Sequence, residues 1–458
     1  SNIKTDIYFF VFATMILFSG FVNCIDTAVL IPESIRIKEK EGNEKAQAFL
    51  NFFILIYFFI GMAFLTLMYF FGASLFGLIS KFSAADIDLY HSYFWVGSFF
   101  FIFHILTNYL NNILTSYKYF SIPMVISSVK SCIAILCIFL LKSNYDVLAV
   151  FMAGIIGYSC NLLVLLVVLK KRLGWSFHVS TAAVSRLTRK NIFFAELGQV
   201  ATVASSMFPL YLLSGFGSGI ISVMNYGKNI ADIPNTLITS QFSNVSGIKL
   251  NEEAARNDYT AMNETFFKVS KHLVFILVPF GFFLFIFSQP VVQLFYSSKS
   301  FAADSVTSSA IFLQLLAVTV FSTGINSLVA RVLIAIQAIR QAFIYQLILN
   351  AFLIFAIWLS TKEYGAYGYP IAIIIVNVIN FFTMLVICKK LAPFINYTAM
   401  LRYTGIIILV NSFISFILYI FVAYTAMPAL PTIILGFISY LIMLGIFNNI
   451  LKLNMGLI

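Results

Sequence analysis

The sequence predicts an all-α polytopic membrane protein built from two equivalent bundles of helices. Three observations carry this expectation. The 458-residue chain is 61% hydrophobic and only 10% charged. Its basic residues are dense in every second loop and sparse in the others. A short motif near residue 81 recurs near residue 299.

A soluble domain carries roughly 25% charged residues. A chain of this length with so few charges could not cover its own surface, so a soluble enzyme is excluded. The 52 Phe and 23 Tyr point the same way. The formal net charge of +11 would suggest nucleic acid in a soluble chain. Here most of the basic residues serve topology, and no nucleic-acid partner is expected. Cys24, Cys132, Cys137, Cys160 and Cys388 lie in or beside apolar stretches without metal-ligand spacing. They read as small buried hydrophobes.

A helix that crosses the membrane needs about 20 mostly apolar residues. Thirteen stretches qualify: 6–31, 47–80, 88–116, 121–141, 146–169, 191–214, 218–248, 265–296, 305–331, 341–360, 366–388, 400–424 and 431–451. The longest must tilt or protrude. Of the 28 Lys and Arg residues, 21 fall in one alternate set of loops and five in the other. The rich set includes Arg36 to Lys45, Lys170 to Lys190, Lys249 to Lys271 and Lys389 to Arg402. Cytoplasmic loops hold the excess, which places the C-terminus in the cytoplasm. Thirteen spans then put residue 1 outside with no signal peptide to carry it there. The expectation is a further helix ahead of this sequence, fourteen in the parent protein.

Lys81-Phe82-Ser83-Ala84-Ala85-Asp86 resembles Lys299-Ser300-Phe301-Ala302-Ala303-Asp304 at an offset of 218, which brings Asn108 onto Asn326. Each copy runs on into a basic turn, Tyr117-Lys118-Tyr119-Phe120 and Gln337-Ala338-Ile339-Arg340. The copies lie six spans apart and so share one orientation. Two parallel bundles related by an axis along the membrane normal are a transporter architecture, with the substrate site between them.

The residues also carry a family resemblance. Thr5-Asp6 followed by Tyr8-Phe9-Phe10-Val11-Phe12 resembles the Thr-Asp-Ala-Phe-Phe-Val start of the second helix in MurJ-type lipid II flippases. Ile31-Pro32-Glu33 and the basic loop to Ala48-Phe49 fit the same family. Asn225-Tyr226-Gly227-Lys228-Asn229-Ile230-Ala231-Asp232-Ile233-Pro234 resembles its Tyr-Ala-Asp-Arg-Leu-Met-Glu-Phe-Pro helix. Val329-Ala330-Arg331-Val332-Leu333 through Arg340 resembles its Arg-Phe-Tyr-Ala…Asp-Thr-Arg-Thr-Pro turn. The resemblance implies the multidrug/oligosaccharidyl-lipid/polysaccharide exporter superfamily: two six-helix lobes in a V around a central cavity, here with two extra C-terminal helices. It implies an N-terminal lobe over 1–172, a cytoplasmic linker over 173–190, a C-terminal lobe over 191–392 and the extra pair over 393–458. This sequence departs from the family at two places. The paired arginines of the second helix fall near Ser19-Gly20, and the arginine of the eighth helix falls on Asn229.

Charges inside a bilayer are costly and normally face a cavity or a partner. Lys228 and Asp232 are four residues apart, share a helix face and can pair. Asn225 and Asn229 extend that stripe, and Pro234 is placed to kink the helix beside it. Lys130 lies mid-span near Ser127, Ser128 and Ser131 with no acid close in sequence. It calls for a partner on another helix or an anionic ligand. Asp26, beside Asn23, and Glu196, beside Gln199, could partner a lysine or bind a coupling cation, with Glu196 expected to snorkel to the cytoplasmic edge. Asp6 sits at the external edge, where solvation suffices, and joins the candidates through the family match. His104 shares its span with Asn108 and reads as a hydrogen-bonded core histidine. Arg331 and Arg340 flank a cytoplasmic turn as anchors or gates.

There is no G-x-x-x-x-G-K-[ST] loop and no metal-ligand cluster. No catalytic residue, cofactor or metal is expected. The sequence therefore reads as a multi-pass protein of the bacterial inner membrane, working as a monomer. Its expected task is to move an undecaprenyl-diphosphate-linked saccharide to the outer leaflet by alternating access, driven by membrane potential, Na+ or H+. Lys228, Asn229, Asp232, Lys130, Asn225, Asp26, Asp6 and Asn108 are the expected cavity residues. The alternatives are a cation-coupled multidrug exporter of the same superfamily and a non-transporting scaffold of an envelope-synthesis complex.

Overall fold

A computed structural model describes residues 3–117, 119, 121–179, 186–296, 303–336, 338–424 and 428–450. Among these residues there are helices and turns and no strand. The chain divides into two compact units, one running to Ser218 and one from Gly219. The sequence repeat, with its offset of 218, has the same length as the first unit.

The first unit opens with α1 (Ile3–Ile25), a π-helical turn (Asp26–Leu30) and the charged helix α2 (Ile31–Glu41). Gly42, at φ 98°, separates α2 from α3 (Asn43–Ile79). At about 1.5 Å per residue the 37 residues of α3 outrun a hydrocarbon core of about 30 Å, so this helix protrudes. The short α4 (Ala84–Leu89) starts at Ser83, whose hydroxyl accepts from the Asp86 amide at 3.1 Å. That is a standard N-cap. Then follow α5 (His91–Ser116), α6 (Ser121–Tyr145), α7 (Leu148–Leu173) and α8 (Arg186–Leu213). Gly174 ends α7 in the left-handed region, after Lys170, Lys171 and Arg172 in the last turn. Of the spanning helices, α5 is the most enclosed and α6 the least: α6 has no buried residue and packs chiefly on α7. Asn51 ties the segment after α7 to α3. Its amide donates to the Ser176 and His178 carbonyls at 2.6 and 2.8 Å, and its oxygen accepts from the Trp175 indole at 2.8 Å.

The second unit begins with α9 (Ile220–Pro234), a π-helical turn (Asn235–Thr239) and α10 (Ser240–Ala255). Next come α11 (Tyr259–Ile286) and α12 (Ser288–Tyr296), then α13 (Ala303–Ala317) and α14 (Val320–Ala335), which meet at a 42° bend. The last four are α15 (Ile339–Tyr364), α16 (Gly368–Leu391), α17 (Tyr397–Tyr424) and α18 (Ala429–Ile450). One core is built from Phe266, Val274 and Val278 of α11, Ile325, Leu328 and Val329 of α14, and Met400 and Ile407 of α17. A second joins Phe287 and Val292 to Leu313 of α13, Ile414 of α17 and Tyr440 of α18. Tyr440 donates to Asn411 at 2.5 Å, locking the C-terminal pair together.

Over their described residues the thirteen apolar stretches are mainly helical. Among the described residues nine segments are long and apolar enough to cross a membrane, or ten with the bent pair α13–α14. One of the nine, Arg340–Leu391, is two helices joined by a 3-10 turn at Gly365–Tyr367. Neither α8 nor α9–α10 is among them, since polar residues dilute both.

By its contacts α8 packs on α1 and groups with the first unit. One expectation from sequence changes here. The two repeat copies break differently: α4 has 6 residues before α5, whereas α13 has 15 before α14. Residues 297–302 of the second copy and Lys118, Phe120 and Gln337 of the turns lie outside the described residues. Of the cysteines, Cys388 is buried while Cys132 is exposed on α6.

Candidate functional site

The candidate residues fall into both units. In the second unit, α9 puts Val223, Met224, Gly227, Ile230, Ala231 and Pro234 on a buried face. The spacing leaves Asn225, Lys228, Asn229 and Asp232 together on the other side. Gly227 makes the seating possible: a Cβ there would lie 2.6 Å from the Ser309 carbonyl and 2.7 Å from the Leu313 amide of α13. Lys228 Nζ meets Asp232 Oδ2 at 2.5 Å, with both side chains half-exposed. Asn225 turns inward on its own helix, donating to the Ile221 carbonyl at 2.9 Å. Asn229 shares a hydrogen bond with Tyr296, whose ring lies 4.6 Å from that of Tyr226.

Pro234 has no amide hydrogen to donate to the preceding turn. The helix answers with the π-helical turn directly after it, a form of irregularity that collects at functional sites. The polar run continues past the break. Thr236 donates to the Asp232 carbonyl at 3.0 Å, and Ser243 contacts Ser327 of α14 at 2.8 Å. Arg331 of α14 donates to Asn244 at 3.1 Å. Arg331 therefore clamps α10 to α14, while Arg340 stays exposed at the start of α15. Thr236, Ser243 and Asn244 were not singled out from sequence, although their spacing on from Asp232 carries the signal.

In the first unit, Asp26 opens the π-helical turn and is fully buried. Its carboxylate accepts from the Tyr57 hydroxyl, from Asn23 at 3.0 Å and from Asn112 at 3.0 Å. Three neutral donors thus hold a carboxylate that pairs with no lysine or arginine among the described residues. Tyr57 and Asn112 come from α3 and α5, spans where sequence spacing gives no hint of a common partner.

Glu196 does not snorkel. It shares a hydrogen bond with the Cys24 thiol of α1, and its Oε2 is buried without a hydrogen-bond partner. The packing of α8 on α1 draws it inward. Asp6 is likewise buried, at 1% exposure, and not solvated at an edge. His104 is the hydrogen-bonded core histidine expected: Ser19 Oγ lies 2.5 Å and Asn108 Nδ2 3.3 Å from its Nδ1. At Ser19-Gly20 this chain therefore offers a hydroxyl to a histidine, and Gly20 lies against Gln199 of α8.

Lys130 has an aromatic partner. Its Nζ lies 3.9 Å from the centre of the Tyr158 ring. The ion pairs among the described residues do not include Lys130. It lines a cavity of about 320 Å³ with Tyr8, Phe12, Phe100, Ser131, Phe151, Gly154 and Tyr158, together with aliphatic side chains of α6 and α7. A lysine at mid-membrane costs about 2.5–3.5 kcal/mol, and a cation–π contact returns about 0.5–2 kcal/mol. The ring offsets part of the cost and leaves an anion something to gain.

The family model for the lipid II flippase MurJ matches residues 1–438. This chain belongs to the MurJ lipid II flippase family. A probable lipid II flippase MurJ of Bdellovibrio bacteriovorus is 21% identical over 198 residues, which are 43% of this chain and 38% of that relative's length. The chain thus spans well under two thirds of that relative. A solved structure of lipid II flippase MurJ in an inward closed conformation overlays with a TM-score of 0.77 at 20% identity, covering 98% of this chain and 94% of the other. An inward-facing multidrug resistance MATE transporter of the MOP superfamily overlays at 0.69 with 16% identity, covering 88% and 92%. Its outward-facing counterpart overlays at 0.64 with 16% identity, covering 87% and 88%. At these identities the overlays establish a shared fold. The family places the chain in the membrane, as its composition does.

Proposed function

We propose that this chain moves a polyprenyl-diphosphate-linked saccharide from the cytoplasmic to the outer leaflet by alternating access, as a transporter without a catalytic step. Membership of the MurJ family supports the substrate class. The fold, shared with transporters solved facing inward and outward, supports the mechanism. One observation carries the residue assignment: Lys228 is held by a carboxylate on its own helix, at half-exposed positions beside a break in that helix. A diphosphate can displace Asp232 from Lys228, because one lysine–carboxylate contact exchanges for a lysine–phosphate contact of the same kind. Asp232 takes the lysine back when the phosphate leaves. The C-terminus lies in the cytoplasm on the loop-charge ratio, and the reading needs one copy of the chain.

Moving one charge through 100 mV is worth about 2.3 kcal/mol, so an inside-negative potential favours outward passage of an anion without ATP. Asp26, a buried carboxylate that pairs with no lysine or arginine among the described residues, is the place for Na+ or H+ to couple to that movement. The test uses vesicles reconstituted with the protein and a polyprenyl-diphosphate-linked saccharide, with a membrane-impermeant enzyme reading headgroups in the outer leaflet. Inside-negative vesicles should flip faster than depolarised ones, and Lys228→Ala should abolish flipping while remaining folded. Equal rates at all potentials would remove the electrical drive. Normal flipping by Lys228→Ala would reject the lysine's role. Uptake of organic cations in place of the lipid would favour the multidrug-exporter alternative.

A further inference from the structure

We infer that the Lys130 cavity of the first unit is a binding site for a single aliphatic chain ending in a phosphate. The inference needs only the cavity and its cation, and it stands apart from the transport reading. Three observations bring it about. The lining is aromatic and aliphatic, with Lys130 as its cation. That lysine sits over Tyr158 and belongs to none of the ion pairs among the described residues, so its charge is met by a ring and not by a carboxylate. The neighbouring hydroxyls do not compete for it: Ser131 donates to the Ser127 carbonyl at 3.0 Å and Ser128 to the Met124 carbonyl at 3.1 Å.

Size decides the class of occupant. At about 320 Å³ the cavity is at the small end for ligand sites. It takes a phosphate and a run of single chain, and its mostly aromatic and aliphatic lining gives a sugar headgroup few hydrogen-bond partners. Depth decides the orientation. Lys130 is nine residues into α6, whereas Val150 and Phe151 stand in the first turn of α7, beside the α6–α7 connection. The cavity therefore runs from mid-helix toward that connection, with the cation at its mid-helix end. The chain lies along the Phe and Tyr walls, and the phosphate meets Lys130.

The site also has a structural consequence. Since α6 buries no residue of its own and leans mainly on α7, an occupant touching Phe12 of α1, Phe100 of α5 and Ile135 of α6 ties α6 to the rest of the unit.

The test uses the full-length protein in a neutral detergent, with dodecyl phosphate, dodecanol and a two-chain phosphatidic acid as probes. Native mass spectrometry counts bound probe, and thermal unfolding reads the bracing of α6. Dodecyl phosphate should bind one per chain, raise the melting temperature, and outcompete dodecanol at least tenfold. Lys130→Gln should lose that preference, while Gly154→Leu, which drives a side chain toward the Phe100 ring, should lose binding of both single-chain probes with the charge intact. Equal binding of phosphate and alcohol, or unchanged binding by Lys130→Gln, overturns the assignment. Phosphatidic acid binding as tightly as dodecyl phosphate overturns the single-chain claim. Should the variants not fold, a photoactivatable dodecyl phosphate on the wild type decides. Labelling at Tyr8, Phe12 or Phe100 or within residues 130–158 supports the site, and labelling confined elsewhere rejects it.

Discussion

Replacing Gly227 with alanine tests the reading of α9 at its narrowest point. The new Cβ would lie 2.6 Å from the Ser309 carbonyl oxygen, 2.7 Å from the Leu313 nitrogen and 2.9 Å from the Phe312 Cβ. Ordinary contact begins at 3.4 Å, so α9 and α13 must part by up to about 0.8 Å. Two of the three neighbours are main-chain atoms inside a helix, which cannot rotate away. Overpacking of this kind costs about 1–3 kcal/mol. Against that, alanine gains about 0.8–1 kcal/mol of helix propensity over glycine. The net loss lies between about 0 and 2 kcal/mol, about 1 at mid-range. The same displacement moves Lys228, the next residue, so substrate handling should suffer beyond the loss of stability. Gly405 of α17 has nothing within 4 Å of its would-be Cβ, and Gly405→Ala should keep the propensity gain. The assay is thermal unfolding of both variants in detergent, beside flipping in vesicles. A Gly227→Ala protein at least as stable as Gly405→Ala, flipping at the wild-type rate, would refute the close approach of α9 to α13.

Other substitutions probe the remaining network. Tyr57→Phe removes one of three donors to the buried Asp26 carboxylate and should lower stability by about 1–2 kcal/mol in denaturant titrations, whereas Asp26→Asn should leave the fold intact and abolish any Na+ or H+ dependence of flipping. Asn51→Leu loses three hydrogen bonds that hold Trp175, Ser176 and His178, so limited proteolysis should cut between 174 and 190 several-fold faster. Asn161 is 97% buried with both side-chain polar atoms unpaired, so Asn161→Leu should stabilise the first unit by about 1–3 kcal/mol, and a lower melting temperature would mean that a bound water satisfies the amide. Arg331→Ala should loosen α10 from α14 and reduce flipping, while Arg340→Ala, on an exposed side chain, should leave stability unchanged.

The sequence by itself determined the membrane class and the helical character of the apolar stretches. These follow from composition and from period, which act along the chain. It also determined the Lys228–Asp232 pair, because residues four apart on a helix meet whatever surrounds them. The family was legible for the same reason, through motifs kept in linear order. Only the tertiary structure decided which distant groups share a pocket. Asp26 meets Tyr57 and Asn112 from two other helices, Lys130 meets Tyr158, and Glu196 meets Cys24. In apolar helices of mixed facing, composition cannot say which side of each helix turns inward. The sequence reading therefore set Glu196 and Asp6 at polar edges, whereas packing buried Asp6 and one carboxylate oxygen of Glu196.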